Sequence, residues 1–203
     1  MANEKTLEAI SLFPQGDITS LLVMLHGWGA NYRDLASLAQ MLDLPEFGYL
    51  FPNAPFEHPQ VPEGRAWYAL ESQEYTGLDR SRQLLFDWLN ALEANTNVPL
   101  ERTYVVGFSQ GGAMTLDVAS RLPVGGICSI SGYLHYEPQP LESKIPPILI
   151  VHGTQDTVVP ISEARNAKDK LTAIGANVQY REFAMGHEIT PPVLELLQEF
   201  IKS

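Results

Sequence analysis

Short apolar runs alternate with amphipathic stretches along nearly the whole chain, and this alternation constrains the fold more than any other feature of the sequence. Leu21-Leu22-Val23-Met24-Leu25 is a continuous apolar run stopped by Gly27. That is the form of a parallel strand buried on both faces, because a half-exposed strand would alternate polar and apolar residues. Asn31 caps a predicted helix that places Leu35, Leu38, Ala39 and Leu42 at helical spacing. Residues 48–51 read as a strand, and residues 79–94 as a helix with Leu85, Trp88, Leu89 and Leu92 on one face. Thr103-Tyr104-Val105-Val106 is the next strand, followed by a Gly-rich turn and a helix over 110–122. Strands at 126–131, 148–151 and 178–183 follow, with a helix over 162–174 capped by Ser162 between the last two. A final helix begins with Thr190 as cap and Pro191 in its first turn, and lines up Val193, Leu196, Leu197, Phe200 and Ile201. The pattern implies an α/β fold, a mostly parallel central sheet with helices on both faces. In such folds the reactive groups gather at the carboxyl ends of the strands.

No repeat, charge block or Gly/Ser linker interrupts this pattern, so residues 1–203 are expected to form one domain. The charge balance of 13 Lys plus Arg against 24 Asp plus Glu gives a net charge of −11. Nucleic-acid binding needs a field of cations to neutralise phosphates, so no nucleic-acid partner is expected. The same balance, with no apolar run near the ~20 residues of a membrane span, leads us to expect no stable membrane association. Cys128 is the single cysteine, which rules out an internal disulfide and a cysteine metal cage. It lies inside a predicted strand, where a small core residue is expected rather than a nucleophile. The opening residues Met1-Ala2-Asn3-Glu4-Lys5 carry neither a secretion signal nor a myristoylation glycine, and a cytoplasmic location is expected.

The chemistry concentrates at Gly107-Phe108-Ser109-Gln110-Gly111, which fits G-x-S-x-G. As a bare pattern it is weak, since at ~7% usage per position roughly one random chain in fifteen would contain it. Its context sharpens it: it joins a buried strand to a helix, where a tight turn lifts the serine hydroxyl above the sheet edge. A serine hydroxyl needs a base, and the base needs a carboxylate to hold its tautomer. On this kind of sheet the order is Ser, then Asp or Glu, then His, each at a strand end. Asp156 follows the strand run ending at His152-Gly153, and His187 follows the strand run ending at Phe183. The expected catalytic residues are therefore Ser109, Asp156 and His187. The oxyanion donors expected are the N–H of Gln110, at a helix N-terminus, and the N–H of Trp28, in the turn Leu25-His26-Gly27-Trp28-Gly29. Among the rivals, Asp117 reads as a solvated helix residue, His152 as a turn residue, His58 and His135 as surface residues, and His26 as structural.

Six blocks resemble, in order, those of the phospholipase/carboxylesterase family of serine α/β-hydrolases, which includes acyl-protein thioesterases. They are Leu25-His26-Gly27-Trp28-Gly29, Pro52-Asn53-Ala54-Pro55, Gly107-Phe108-Ser109-Gln110-Gly111-Gly112, Ser131-Gly132-Tyr133, His152-Gly153-Thr154-Gln155-Asp156 with Val159-Pro160, and Gly186-His187. The resemblance implies the α/β-hydrolase fold, hydrolysis of carboxylic esters or thioesters, no cofactor and no metal, and the catalytic and oxyanion residues named above. Eukaryotic acyl-protein thioesterases tend to have Trp-Phe-Asp where this chain has Trp67-Tyr68-Ala69, and small polar residues where it has Glu188-Ile189. The chain also has no N-terminal cysteine for acylation. These departures favour a carboxylesterase of bacterial type acting on a small-molecule ester, with long-chain thioesterase or lysophospholipase activity as the alternative. A non-catalytic ligand receptor built on the hydrolase fold is a third reading. It is disfavoured because nucleophile, base, acid and both oxyanion turns are all retained. Residues 52–66, with four prolines, read as a stiffened loop covering the strand ends. Trp28, Phe108, Trp67 and Met185 are the expected substrate contacts, with Tyr32, Tyr68, Tyr133 and Leu134 as further candidates for an apolar groove.

Overall fold

The computed structural model describes residues 6–70, 74–139 and 144–203; residues 1–5, which bear on the signal-sequence expectation, lie outside them. In chain order the elements are β1 (Ala9–Leu12), β2 (Ser20–Leu25), α1 (Tyr32–Ala36) with a 3-10 turn over Ser37–Met41, β3 (Phe47–Pro52), β4 (Phe56–Glu57) and β5 (Arg65–Ala66). They continue as α2 (Leu78–Asn90), α3 (Leu92–Thr96), β6 (Thr103–Phe108), α4 (Gln110–Val118), β7 (Gly126–Ile130), β8 (Ile148–Gly153), α5 (Ile161–Ala173), β9 (Val178–Phe183) and α6 (Pro191–Lys202). Seven strands form one sheet in the order β1-β3-β2-β6-β7-β8-β9. Every pairing in it is parallel except β1 with β3.

The two-residue period of a strand divides each apolar run between two cores. Leu21, Val23 and Leu25 of β2 join Leu85, Leu89, Met114 and Ala164 on one side, under α2, α4 and α5. Leu22 and Met24 join Leu35, Leu194 and Leu197 on the other, under α1 and α6. Because both faces are covered, the inner strands read as unbroken apolar runs. Deleting one such buried leucine side chain costs ~2–5 kcal/mol, so the sheet is a stiff platform for the turns at its edge.

Several boundaries differ from the sequence reading, each for a local reason. The helix expected over 79–94 is broken at Ala91 into α2 and α3, and the one over 110–122 ends at Val118 in a 3-10 turn over Ala119–Arg121. Ser162 is not a cap: α5 starts one residue earlier, with Pro160 in the cap position. Asn31 does cap α1, accepting from the Arg33 N–H while Asp34 accepts from the Asn31 N–H, a reciprocal capping box. The edge strand β1 had no sequence signal, since it is short and mostly exposed. Residues 52–66 are more ordered than a loop, because β4 and β5 pair within them. This ribbon is tied to the turn after β2, where Gly29 N–H donates to Arg65 O and Arg65 N–H donates to Ala30 O, at 2.9 and 2.8 Å.

Candidate active site

The turn after β6 carries Ser109 at φ 55° and ψ −119°, a conformation that costs a non-glycine residue ~1–3 kcal/mol. Its surroundings hold it there: Ser109 N–H donates to Ile130 O at 2.8 Å, and Ala113 N–H donates to Ser109 O at 3.0 Å. Two glycines let the end of β2 close against this turn. A Cβ at Gly111 would fall 2.2 Å from Leu25 O, and one at Gly27 would fall 3.2 Å from the Ser109 Cβ. The first contact is impossible for any other residue, which is why the second glycine of G-x-S-x-G is needed here.

Two further strand ends reach the same point. The β8 turn and the segment after β9 are laced together by Thr154 N–H to Phe183 O at 2.8 Å and Gln155 N–H to Met185 O at 3.1 Å. This brings His187 Nε2 to 2.9 Å from Ser109 Oγ and His187 Nδ1 to 2.8 Å from Asp156 Oδ2. Asp156 Oδ1 accepts from the N–H groups of Val158 and Val159, both at 2.9 Å. Burial pushes the Asp156 carboxyl up, but the bonds from His187 and these two amides outweigh it and hold the carboxyl below its usual range. An ionised Asp156 can only accept, so Nδ1 of His187 carries a proton and Nε2 of the neutral ring faces the serine as an acceptor. The ring of Phe108 lies against that of His187, centroids 4.8 Å apart.

The other expected site residues divide. Trp28 and Phe108 are partly exposed beside the serine turn. Gln110 opens α4, and Trp28 sits in the β2 turn that Gly27 presses against Ser109. Trp67 and Met185, expected as substrate contacts, are instead 0% and 4% exposed and sit in the two cores. Trp67 instead donates its indole N–H to His26 O at 3.0 Å. Tyr68 is equally buried and is not a groove residue. His58 and His135 are buried rather than at the surface. Asp117 is not solvated: its side chain is 8% exposed and meets Arg82 at 2.6 Å and His135 Nδ1 at 2.8 Å. His152, as expected, turns its Nε2 to the carbonyl of Val159, at 2.9 Å. Among the described residues no group of His, Cys, Asp and Glu side chains could hold a metal ion.

The sequence profile described as Phospholipase/Carboxylesterase matches residues 11–203. The acyl-protein thioesterase 1 of Saccharomyces cerevisiae is 30% identical over 89% of this chain and 91% of its own. That of Emericella nidulans is 26% identical over 90% and 89%. Among solved structures, esterase PE8 superposes with a TM-score of 0.88 at 32% identity, covering 97% of this chain and 98% of its own. A Bacillus cereus carboxylesterase shares the fold, with a TM-score of 0.84 at 17% identity over 98% of this chain and 95% of its own.

Proposed function

The chain belongs to the phospholipase/carboxylesterase family of α/β-hydrolase-fold serine hydrolases, and from that premise we propose that it is a carboxylesterase working through Ser109, His187 and Asp156. The observation that carries the reading is the continuous chain of contacts from Ser109 Oγ through His187 to Asp156, at 2.9 and 2.8 Å, on a strained turn. Ser109 Oγ attacks the acyl carbon while His187 Nε2 takes its proton, and Asp156 stabilises the imidazolium that results. The carbonyl oxygen becomes an oxyanion, held by the N–H groups of Trp28 and Gln110. His187 then returns the proton to the departing alkoxide, leaving an acyl-enzyme. Water, deprotonated by the same histidine, releases the acid and restores the serine.

Trp28 and Phe108, partly exposed beside the serine turn, are the proposed walls of the substrate site. The thioesterase reading has its own support in the yeast relative at 30% identity. Two measurements test these readings. A fluorophosphonate should add one phosphonyl group per chain, found on Ser109 by peptide mass spectrometry; labelling elsewhere, or none, would sink the mechanism. Matched esters and thioesters of two to sixteen carbons should give the highest kcat/KM on short esters, and a preference for long thioesters would replace the first reading with the second.

A further inference from the structure

The two proposed oxyanion donors, Trp28 and Gln110, lie in turns far apart in sequence, and one dipeptide is bonded to both turns. The Trp67 indole N–H donates to His26 O at 3.0 Å, on the turn that carries Trp28. The Trp67 backbone N–H donates to Gln110 Oε1 at 2.8 Å, and Gln110 Nε2 donates to Tyr68 O at 2.8 Å. Both ends of the Gln110 side-chain amide thus grip residues 67 and 68, next to the serine turn in sequence. Ser81 on α2 donates to Trp67 O. His26 is fixed in turn by Ala54 N–H, which donates to its Nε2 at 3.0 Å.

The far end of the dipeptide is anchored as well. The Tyr68 hydroxyl lies 2.6 Å from that of Tyr133 and 2.7 Å from His135 Nε2, and His135 Nδ1 lies 2.8 Å from Asp117 Oδ2. Burial pushes the Asp117 carboxyl up, but bonds from His135 and Arg82 outweigh it and keep it below its usual range. Every polar atom of this buried network named above has a partner, which makes it rigid.

We propose that Trp67 and Tyr68 form a positioning tie that sets the gap between the Trp28 and Gln110 N–H groups, with Asp117 and His135 as its anchor. The inference rests on the esterase reading above. The tie acts through the donors and never touches substrate, so its loss weakens binding of the transition state and not of the ester itself.

The test uses wild-type protein, Trp67→Phe and Tyr68→Phe, each titrated with a fluorophosphonate so that kcat on p-nitrophenyl butyrate is counted per active serine. Deleting an oxyanion donor outright costs ~10²–10³-fold in kcat. Displacing one by loss of the indole bond should lower kcat roughly tenfold in Trp67→Phe, with KM within about twofold of wild type. Tyr68→Phe, which keeps the ring and removes one hydroxyl, should lower kcat by about threefold and serves alone if Trp67→Phe does not fold. A kcat per active serine equal to wild type in each variant that folds, or a change confined to KM, overturns the tie. A wild-type protein that is neither labelled on Ser109 nor active on the ester overturns the esterase reading instead, and the tie with it.

Discussion

Two aspartate–histidine pairs stand in this molecule with the same local geometry and different surroundings. In both, the imidazole Nδ1 lies 2.8 Å from a carboxylate Oδ2. Each carboxylate is held below its usual range by its hydrogen bonds. The difference lies at the other nitrogen. His187 Nε2 meets a serine hydroxyl on a strained turn, and its side chain is 16% exposed. His135 Nε2 meets a tyrosine hydroxyl, and its side chain is 1% exposed beneath the rings of Tyr68, Tyr75, Tyr133 and Tyr136. An imidazole held by a carboxylate is therefore not by itself a catalytic device. It becomes one where its second nitrogen reaches a nucleophile that substrate can approach.

The largest expected effects lie at the open pair. Ser109→Ala should lower kcat on a short p-nitrophenyl ester by ~10⁴–10⁶-fold while the circular dichroism spectrum persists. Asp156→Asn should lower it by ~10⁴-fold, because the amide no longer holds the Nδ1–H tautomer. The enclosed pair should respond in the opposite way. Asp117→Ala should cost less than about tenfold in kcat but about 3 kcal/mol or more of stability in urea, since it leaves Arg82 and His135 without their buried carboxylate. Were Asp117→Ala to lose activity as completely as Asp156→Asn while remaining folded, the distinction between the two pairs would fail.

The contrast also explains what the sequence made legible. Ser109, Asp156 and His187 each follow a strand run, so the topology of a parallel sheet says where they meet before any coordinates exist. The inner strands were equally visible, because a strand covered on both faces leaves an unbroken apolar run such as residues 148–151. The enclosed pair has no such signature. Tyr68, Asp117, Tyr133 and His135 sit in a loop, on a helix and past a strand end, and only tertiary packing joins them. A polar residue satisfied by distant partners looks, in sequence, like a polar residue in water, which is how Asp117 and His135 came to read as surface. Trp67 shows the same ambiguity: an aromatic near strand ends fits a groove and a core alike, and here it is fully buried with its indole bonded to His26.

His26 is a buried histidine with no carboxylate against it, unlike His135 and His187. His26 has a carbonyl at one nitrogen, Gly27 O at 2.7 Å from Nδ1, and an amide donor at the other, Ala54 N–H at 3.0 Å from Nε2. With no anion in contact, burial dominates and lowers its pKa from 6.5 to about 4, against the smaller upward pull of the Gly27 carbonyl. Protonating Nε2 would also forfeit the Ala54 bond. Between pH 6.5 and 4 the unfolded chain takes up a proton at this residue that the folded chain refuses, so stability falls as pH falls through that window and levels off below it. The full shift amounts to about 3 kcal/mol. Urea unfolding at pH 7.5 and pH 4.5 should therefore show a larger acid loss in wild type than in His26→Gln, whose side chain can still offer an acceptor to Ala54 and cannot titrate. Equal acid losses in the two proteins would mean that burial does not keep His26 neutral in this window.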